Sequence, residues 1–146
     1  MALSIHVNDV VIGVTSETCK AIQTAARYFI KGMDPGFMFY WEQDAHACFT
    51  LVEFPAESLQ QADFGRYFGA TFWDLEDGWR DYESDWQRYC ELFGARMPIH
   101  DFVICRLAPD NELHYYSITG QAVYDQQGCF TGYCGVVSDV THRWRR

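Results

Sequence analysis

Six cysteines (Cys19, Cys48, Cys90, Cys105, Cys129, Cys134) and five histidines are the side chains of this 146-residue chain best suited to nucleophilic, redox or metal chemistry. Their spacing singles out none of these chemistries. No two cysteines stand as C-x-x-C, and none is spaced with histidine as zinc ligands are. There is no G-x-S-x-G elbow, no H-E-x-x-H, no P-loop and no G-x-G-x-x-G. Gly132 and Gly135 give G-x-x-G, but in a stretch of strand composition, where glycine marks a bend or a close approach. Asp81, Glu83 and Asp85 read as solvated helix surface. One enzymatic rival stands: a small α+β enzyme with a thiol or acid brought to its partner only by the fold. Cys105, Cys134, His100 or Asp101 would take part, one of them buried beside a base. The expectation is a protein without enzymatic activity whose cysteines are buried free thiols acting as small apolar residues.

The totals exclude other classes. With 20 Asp and Glu against 11 Lys and Arg, the formal charge of −9 argues against a nucleic-acid groove. The one basic concentration is His142-Arg143-Trp144-Arg145-Arg146. Hydrophobic content of 49% and aromatic content of 17% exclude a disordered chain. The length suits one domain, and no run of 18 apolar residues offers a membrane span. The start lacks the charged-then-apolar pattern of a secretory signal, so a cytoplasmic location is expected, without a disulfide framework.

The elements that must position any site follow from periodicity. Residues 16–31 read as a helix, with Cys19, Ile22, Ala26, Phe29 and Ile30 at helical spacing, Thr15 or Ser16 at its start and Gly32 at its end. Residues 37–45 and 48–54 read as two strands around the turn Asp44-Ala45-His46-Ala47, and Pro55 closes the second. Residues 57–75 read as short helices and turns rich in aromatic side chains. Residues 77–94 read as a helix presenting Trp79, Tyr82, Trp86, Tyr89, Cys90 and Phe93 on one face, with Asp77 as cap and Gly94 as stop. Residues 98–107 make the third strand. Residues 1–14 stay unassigned.

The most informative stretch is residues 112–141. His114 to Tyr124 is a run of β-branched and aromatic residues. Asp125-Gln126-Gln127-Gly128 supplies a turn ending in glycine, and residues 129–137 run back. Four pieces in order, Ser117-Ile118-Thr119-Gly120, Asp125-Gln126-Gln127-Gly128, Thr131-Gly132-Tyr133-Cys134-Gly135-Val136 and Asp139-Val140-Thr141, resemble the closing hairpin of a PAS domain. Phe68-Gly69-Ala70-Thr71-Phe72-Trp73-Asp74-Leu75 resembles the family's cavity-wall segment. The resemblance covers about residues 37–141.

The resemblance implies an α+β fold: a five-stranded antiparallel sheet in the order 2-1-5-4-3, helices on one face, and an extra N-terminal helix. Residues 1–36 would be a flanking segment and residues 37–146 the domain. It implies a sensory module that binds a small ligand or partner, forms a homodimer through the N-terminal helix, and relays its state through Asp139, Val140 and Thr141. The output domain would be of the histidine kinase or diguanylate cyclase type. The same helix, read from the residues alone, could equally cover the open face of the sheet.

Strand alternation puts Phe39, Trp41 and Gln43 on one face of the first strand, Tyr116, Ile118 and Gly120 on one face of the fourth, and Tyr133, Gly135 and Val137 on one face of the fifth. With Phe72 on the helical wall, these make the candidate ligand site. The alternative is a structural homodimerisation domain whose core the aromatic residues fill. The cofactor is unknown. Phe72 stands where a flavin-photoadduct domain would carry its cysteine, and Tyr116 and Val137 stand where it would carry the asparagine and glutamine that hold the flavin. Residues 79–97 contain no histidine for the haem-binding branch of the family, which leaves His100 as the nearest. His46 and His114 read as exposed.

Overall fold

The sheet is assembled on its longest strand, β7 (Leu113–Tyr124). The computed structural model describes residues 4–7, 10–26, 35–55, 66–75 and 78–144. In chain order these form β1 (Ser4–Val7), β2 (Val10–Thr15), α1 (Ser16–Ala25), β3 (Phe37–Asp44), β4 (Phe49–Glu53), a 3-10 turn (Phe72–Asp74), β5 (Arg80–Asp81), α2 (Trp86–Gly94), β6 (Ile99–Leu107), β7, β8 (Phe130–Asp139) and a closing 3-10 turn (Thr141–Arg143). The chain is α+β. Its sheet departs from the expected five strands in the order 2-1-5-4-3. Eight strands run β1-β2-β7-β8-β3-β4, with β6 also paired to β7 and β5 to β6. The cause is the length of β7. One of its edges holds β6 along Leu113 to Gly120 and then has room for β2, in parallel, at Val123 and Tyr124.

The unassigned N-terminal stretch is thus a hairpin, and β2 leads straight into α1. Thr15 is the N-cap, its side chain accepting from the Thr18 amide at 3.3 Å. The described part of α1 ends at Ala25; the expected continuation through Phe29 and Ile30 to Gly32 lies outside the described residues. The helix packs on the face of the sheet that carries Tyr40, Val123 and Cys134, burying Cys19 and Ala26 against them. Helices therefore cover both faces of the sheet rather than one.

The second helix is also shorter than expected. It spans Trp86–Gly94, capped by Asp85 accepting from the Arg88 amide at 3.0 Å, while Asp77 lies outside the described residues. Trp79 and Tyr82 share the helical spacing but sit on extended chain. Gly78 and Glu83 take φ values of +84° and +55°, which a helix cannot contain. Between them, Arg80 and Asp81 pair with Leu107 and Arg106 of β6. Asp81 then accepts from the Trp86 indole N–H at 2.9 Å, which turns the chain into the helix.

The two central hairpins use one device. Asp44 Oδ1 accepts from the His46 and Cys48 amides at 2.9 and 3.0 Å. Asp125 Oδ1 accepts from the Gln127 and Cys129 amides, both at 2.9 Å. In the second turn Gly128 takes the left-handed conformation, φ +81°.

Candidate ligand cavity

Strand alternation places the sequence-predicted site residues as expected on one face of the sheet. Phe39, Trp41, Phe72, Tyr116, Ile118, Tyr133 and Val137 belong to one buried cluster, roofed by α2 and residues 66–75. They do not all line a cavity. Trp41 is fully buried, and its indole occupies the space above two glycines. A Cβ on Gly120 would stand 2.7 Å from Trp41 Cη2, and one on Gly135 would stand 2.7 Å from Trp41 Cζ2. Gly120 makes room chiefly for the tryptophan, and Gly135 for the backbone of the neighbouring strand as well.

Three further members of the expected site belong to this filled part. Tyr133 stacks on Phe93 with ring centroids 4.4 Å apart, and its hydroxyl donates to the Met97 carbonyl at 2.8 Å. Gln43 accepts from the Tyr89 hydroxyl at 3.5 Å. Ile118 is buried completely beneath them. Burial raises the pKa of both Tyr89 and Tyr133, so both stay protonated donors. Trp41, Gln43, Ile118, Tyr133 and Gly135 thus belong to the packed part of this face and do not line the cavity at its other end.

The open space lies at the other end of this face. A cavity of about 150 Å³ is lined by four expected residues, Phe39, Phe72, Tyr116 and Val137, and by eight that sequence reading did not select: Met38, Phe54, Arg66, Tyr67, Leu75, Trp79, Ile104 and Arg106. Aromatic edges set its walls. Phe39 meets Phe54 at 5.0 Å and Tyr67 at 5.6 Å between ring centroids. Trp79 reaches the cavity because its segment is extended, and the Arg106 guanidinium lies 5.8 Å from its ring centroid. Ile104 and Arg106 alternate onto this face of β6, a periodicity visible in the sequence once the strand is placed. No such signal pointed to Met38, which reaches the cavity beside the register shift between Phe37 and Phe39. The charged side chains in the lining are both arginines, in a chain with an excess of acidic residues.

The exit segment is tied to the sheet. Asp139 Oδ1 accepts from the Thr141 amide at 2.9 Å, at the entry to the closing 3-10 turn. The Thr141 hydroxyl accepts from the Tyr115 amide at 3.0 Å, and the Val140 amide donates to the Tyr115 carbonyl at 2.8 Å. The Asp139 amide donates to the Gly36 carbonyl at 2.6 Å, so the end of β8 is fastened both to β7 and to the entry of β3.

The residues of the enzymatic rival are dispersed. Cys134 is buried under α1, on the opposite face from the cavity. Cys105 is buried on β6, its amide accepted by the Ser84 hydroxyl at 3.0 Å, and desolvation raises its pKa. His100 is exposed. Asp101 is exposed as well, and its carboxyl is held below the usual range, first by the Ser117 hydroxyl and then by Arg143. A raised thiol pKa runs opposite to the activation a nucleophilic cysteine requires. Among the described residues no group of three or more His, Cys, Asp or Glu is placed to hold a metal ion, and no helix is long and apolar enough to cross a membrane. A scan against protein-family models and a search of curated proteins gave no match to the chain.

Proposed function

We propose that the chain is a sensory module of the PAS type that holds a small, mostly apolar molecule with an anionic end in the cavity beneath residues 66–75. Occupancy is passed through Asp139, Val140 and Thr141 to an output domain of the histidine kinase or diguanylate cyclase type. The observation that carries this reading is the cavity itself. Its aromatic and aliphatic walls and two guanidiniums give the composition of a small-molecule site. Its size, about 150 Å³, matches that of an engineered cavity elsewhere that binds benzene. An aromatic monocarboxylate therefore has the right bulk, with its carboxylate beside arginine. The family assignment is supported by the run of antiparallel neighbours β4, β3, β8, β7 and β6, the family's order once the N-terminal hairpin and β5 are set aside. The exit residues support the relay, since Thr141 and Val140 bond to Tyr115, next to the cavity residue Tyr116.

The test is titration with benzoate and phenylacetate, followed by tryptophan fluorescence and native mass spectrometry. Binding to the wild-type chain and its loss in Val137→Phe, which fills the cavity while keeping an apolar core residue, would support the reading. Absence of binding by these and by neutral aromatic probes would overturn it. That result would favour a structural interaction domain, the reading that the indole packed over Gly120 and Gly135 supports. Association through α1 would then use its outer side, Lys20, Ala21 and Thr24, because Cys19 and Ala26 are turned to the sheet.

A further inference from the structure

We infer that Cys19 and Cys134 form a redox site, in which a hydroperoxide closes a disulfide that fastens α1 to the central sheet. The site lies on the face opposite the ligand cavity and does not depend on it. The two Sγ atoms are 2.7 Å apart, and the residues are 3% and 1% exposed. Non-bonded heavy atoms settle at about 3.5–4.0 Å, and a disulfide needs about 2.05 Å. These sulfurs already stand well inside ordinary contact.

The two elements differ in how firmly they are held. Cys134 sits on β8, where it faces Glu42 of β3 on one side and Gln121 of β7 on the other. Cys19 sits on α1, which meets the sheet only through its inner side. The Tyr40 hydroxyl, donating to the Cys19 carbonyl at 3.3 Å, holds the helix in register with the pair.

The surroundings assign roles to the two thiols. Cys19 borders an open cavity of about 210 Å³, shared with Glu42, Thr50 and Thr131, through which a peroxide can arrive. Cys134 does not border that cavity and touches the Cys19 sulfur, so it is placed to react second. The Cys19 thiolate attacks the peroxide, breaking the O–O bond to give a sulfenic acid and hydroxide. The Cys134 sulfur then displaces the hydroxyl of that sulfenic acid, forming the S–S bond and releasing water. In total two thiols lose two electrons and two protons, and one hydroperoxide is reduced.

The link joins positions 115 residues apart, so it closes most of the chain into one loop and restricts the unfolded state accordingly. Oxidation thereby locks the helix on the sheet, and reduction leaves it free to lift.

The experiment treats the wild-type chain with hydrogen peroxide, blocks free thiols with iodoacetamide after denaturation, and maps peptides without reduction. The expected result is a Cys19–Cys134 cross-linked peptide reversed by dithiothreitol, with the thermal midpoint raised by about 5–10 °C. In Cys134→Ser, Cys19 should accumulate as a sulfenic acid trapped by dimedone. Cys90 and Cys129 are exposed and report indiscriminate oxidation. Recovery of both Cys19 and Cys134 as alkylated thiols while those two are oxidised would overturn the inference. So would an oxidised, cross-linked protein that melts no higher than the reduced one.

Discussion

Arg143 Nη1 lies 3.0 Å from one carboxylate oxygen of Asp101 and 3.1 Å from the other, joining the end of the exit segment to β6 across 42 residues. Asp101 sits at an irregular point of that strand, with φ +47° inside the register shift between Ile99 and Phe102. Its amide donates to the Thr119 hydroxyl at 3.1 Å, and its carboxylate accepts from the Ser117 hydroxyl at 2.5 Å. A side chain from the exit, two from β7 and a strained residue of β6 thus meet at one place on the edge of the sheet.

Asp101→Asn keeps the backbone preference, because asparagine also tolerates positive φ, but removes the charge. Both partners of the ion pair are about half exposed, so solvent screening limits the expected loss to below about 1 kcal/mol. The pH dependence identifies its source. The folded-state pKa is lowered by Ser117 and then Arg143. The stabilisation is therefore complete above the ordinary carboxylate range and lost as pH falls through the lower, folded-state value. Melting both proteins across acid pH should show their midpoints converging on acidification. A gap that persists unchanged at acid pH would mean the charge is not what stabilises.

Tyr133→Phe should cost about 1 kcal/mol, and up to about 3 if the freed Met97 carbonyl stays dry. The hydroxyl donates to Met97 O at 2.8 Å, just past the C-terminal end of α2, and lies 3.3 Å from Leu92 O, which already accepts from the Met97 amide. Phenylalanine keeps the stack on Phe93. Urea unfolding measures the loss, and amide exchange should place it in residues 92–97. A variant as stable as the wild type would show that water replaces the hydroxyl there.

Much of this architecture was legible in the sequence because local signals agreed with the tertiary outcome. Asp125 and Gly128 announced their turn, and alternation along residues 114–124 and 129–137 sorted the faces of β7 and β8. The N-terminal hairpin was not legible, because β2 owes its place to the unused edge of β7 at Val123 and Tyr124, a feature of the assembled sheet. The second helix was read too long because Trp79, Tyr82 and Trp86 fall at helical spacing by coincidence, while backbone conformation at Gly78 and Glu83 decides otherwise. For the site, the residues assign the faces but leave open whether a ligand or packed side chains fill the space between them. Gly120 and Gly135 announce a close approach, but only the fold says that Trp41 makes it at Gly120 and that strand backbone shares it at Gly135.

Arg106→Met should separate the charge of a ligand from its bulk. Methionine keeps an apolar side chain in the lining but removes the guanidinium that lies beside Trp79. A hydrogen bond to a charged group contributes about 1.5–3 kcal/mol, so benzoate affinity should fall by roughly 10- to 100-fold. Binding of a neutral ring of equal size, such as toluene, should change little. Equal loss for both ligands would mean that the variant altered the cavity walls instead.

Gly120→Ala and Gly135→Ala should both destabilise the fold, yet only the first should be rescued from the core. At Gly120 the nearest atoms to a new Cβ are Trp41 Cη2 and Cζ2, both at 2.7 Å, with Cys134 O at 3.0 Å. Most of the obstruction is a side chain. At Gly135 the nearest atom is Thr119 O, with the Gly120 Cα and Trp41 Cζ2 both at 2.7 Å, so backbone of the neighbouring strand is in the way whether or not the indole is present. Overpacking of this kind costs about 1–3 kcal/mol or more. Trp41→Phe removes the six-membered ring of the indole and by itself opens a void, which is destabilising. In the Trp41→Phe background the alanine at position 120 enters that void, so the double variant should be more stable than the sum of the single losses by about 1 kcal/mol or more. The same cycle at Gly135 should couple much less, because the Thr119 carbonyl stays in the way when the indole is gone. Equal coupling at both positions would show that the strands, rather than the indole, yield to the added methyl group, and the account of why glycine is needed at position 120 would have to be abandoned.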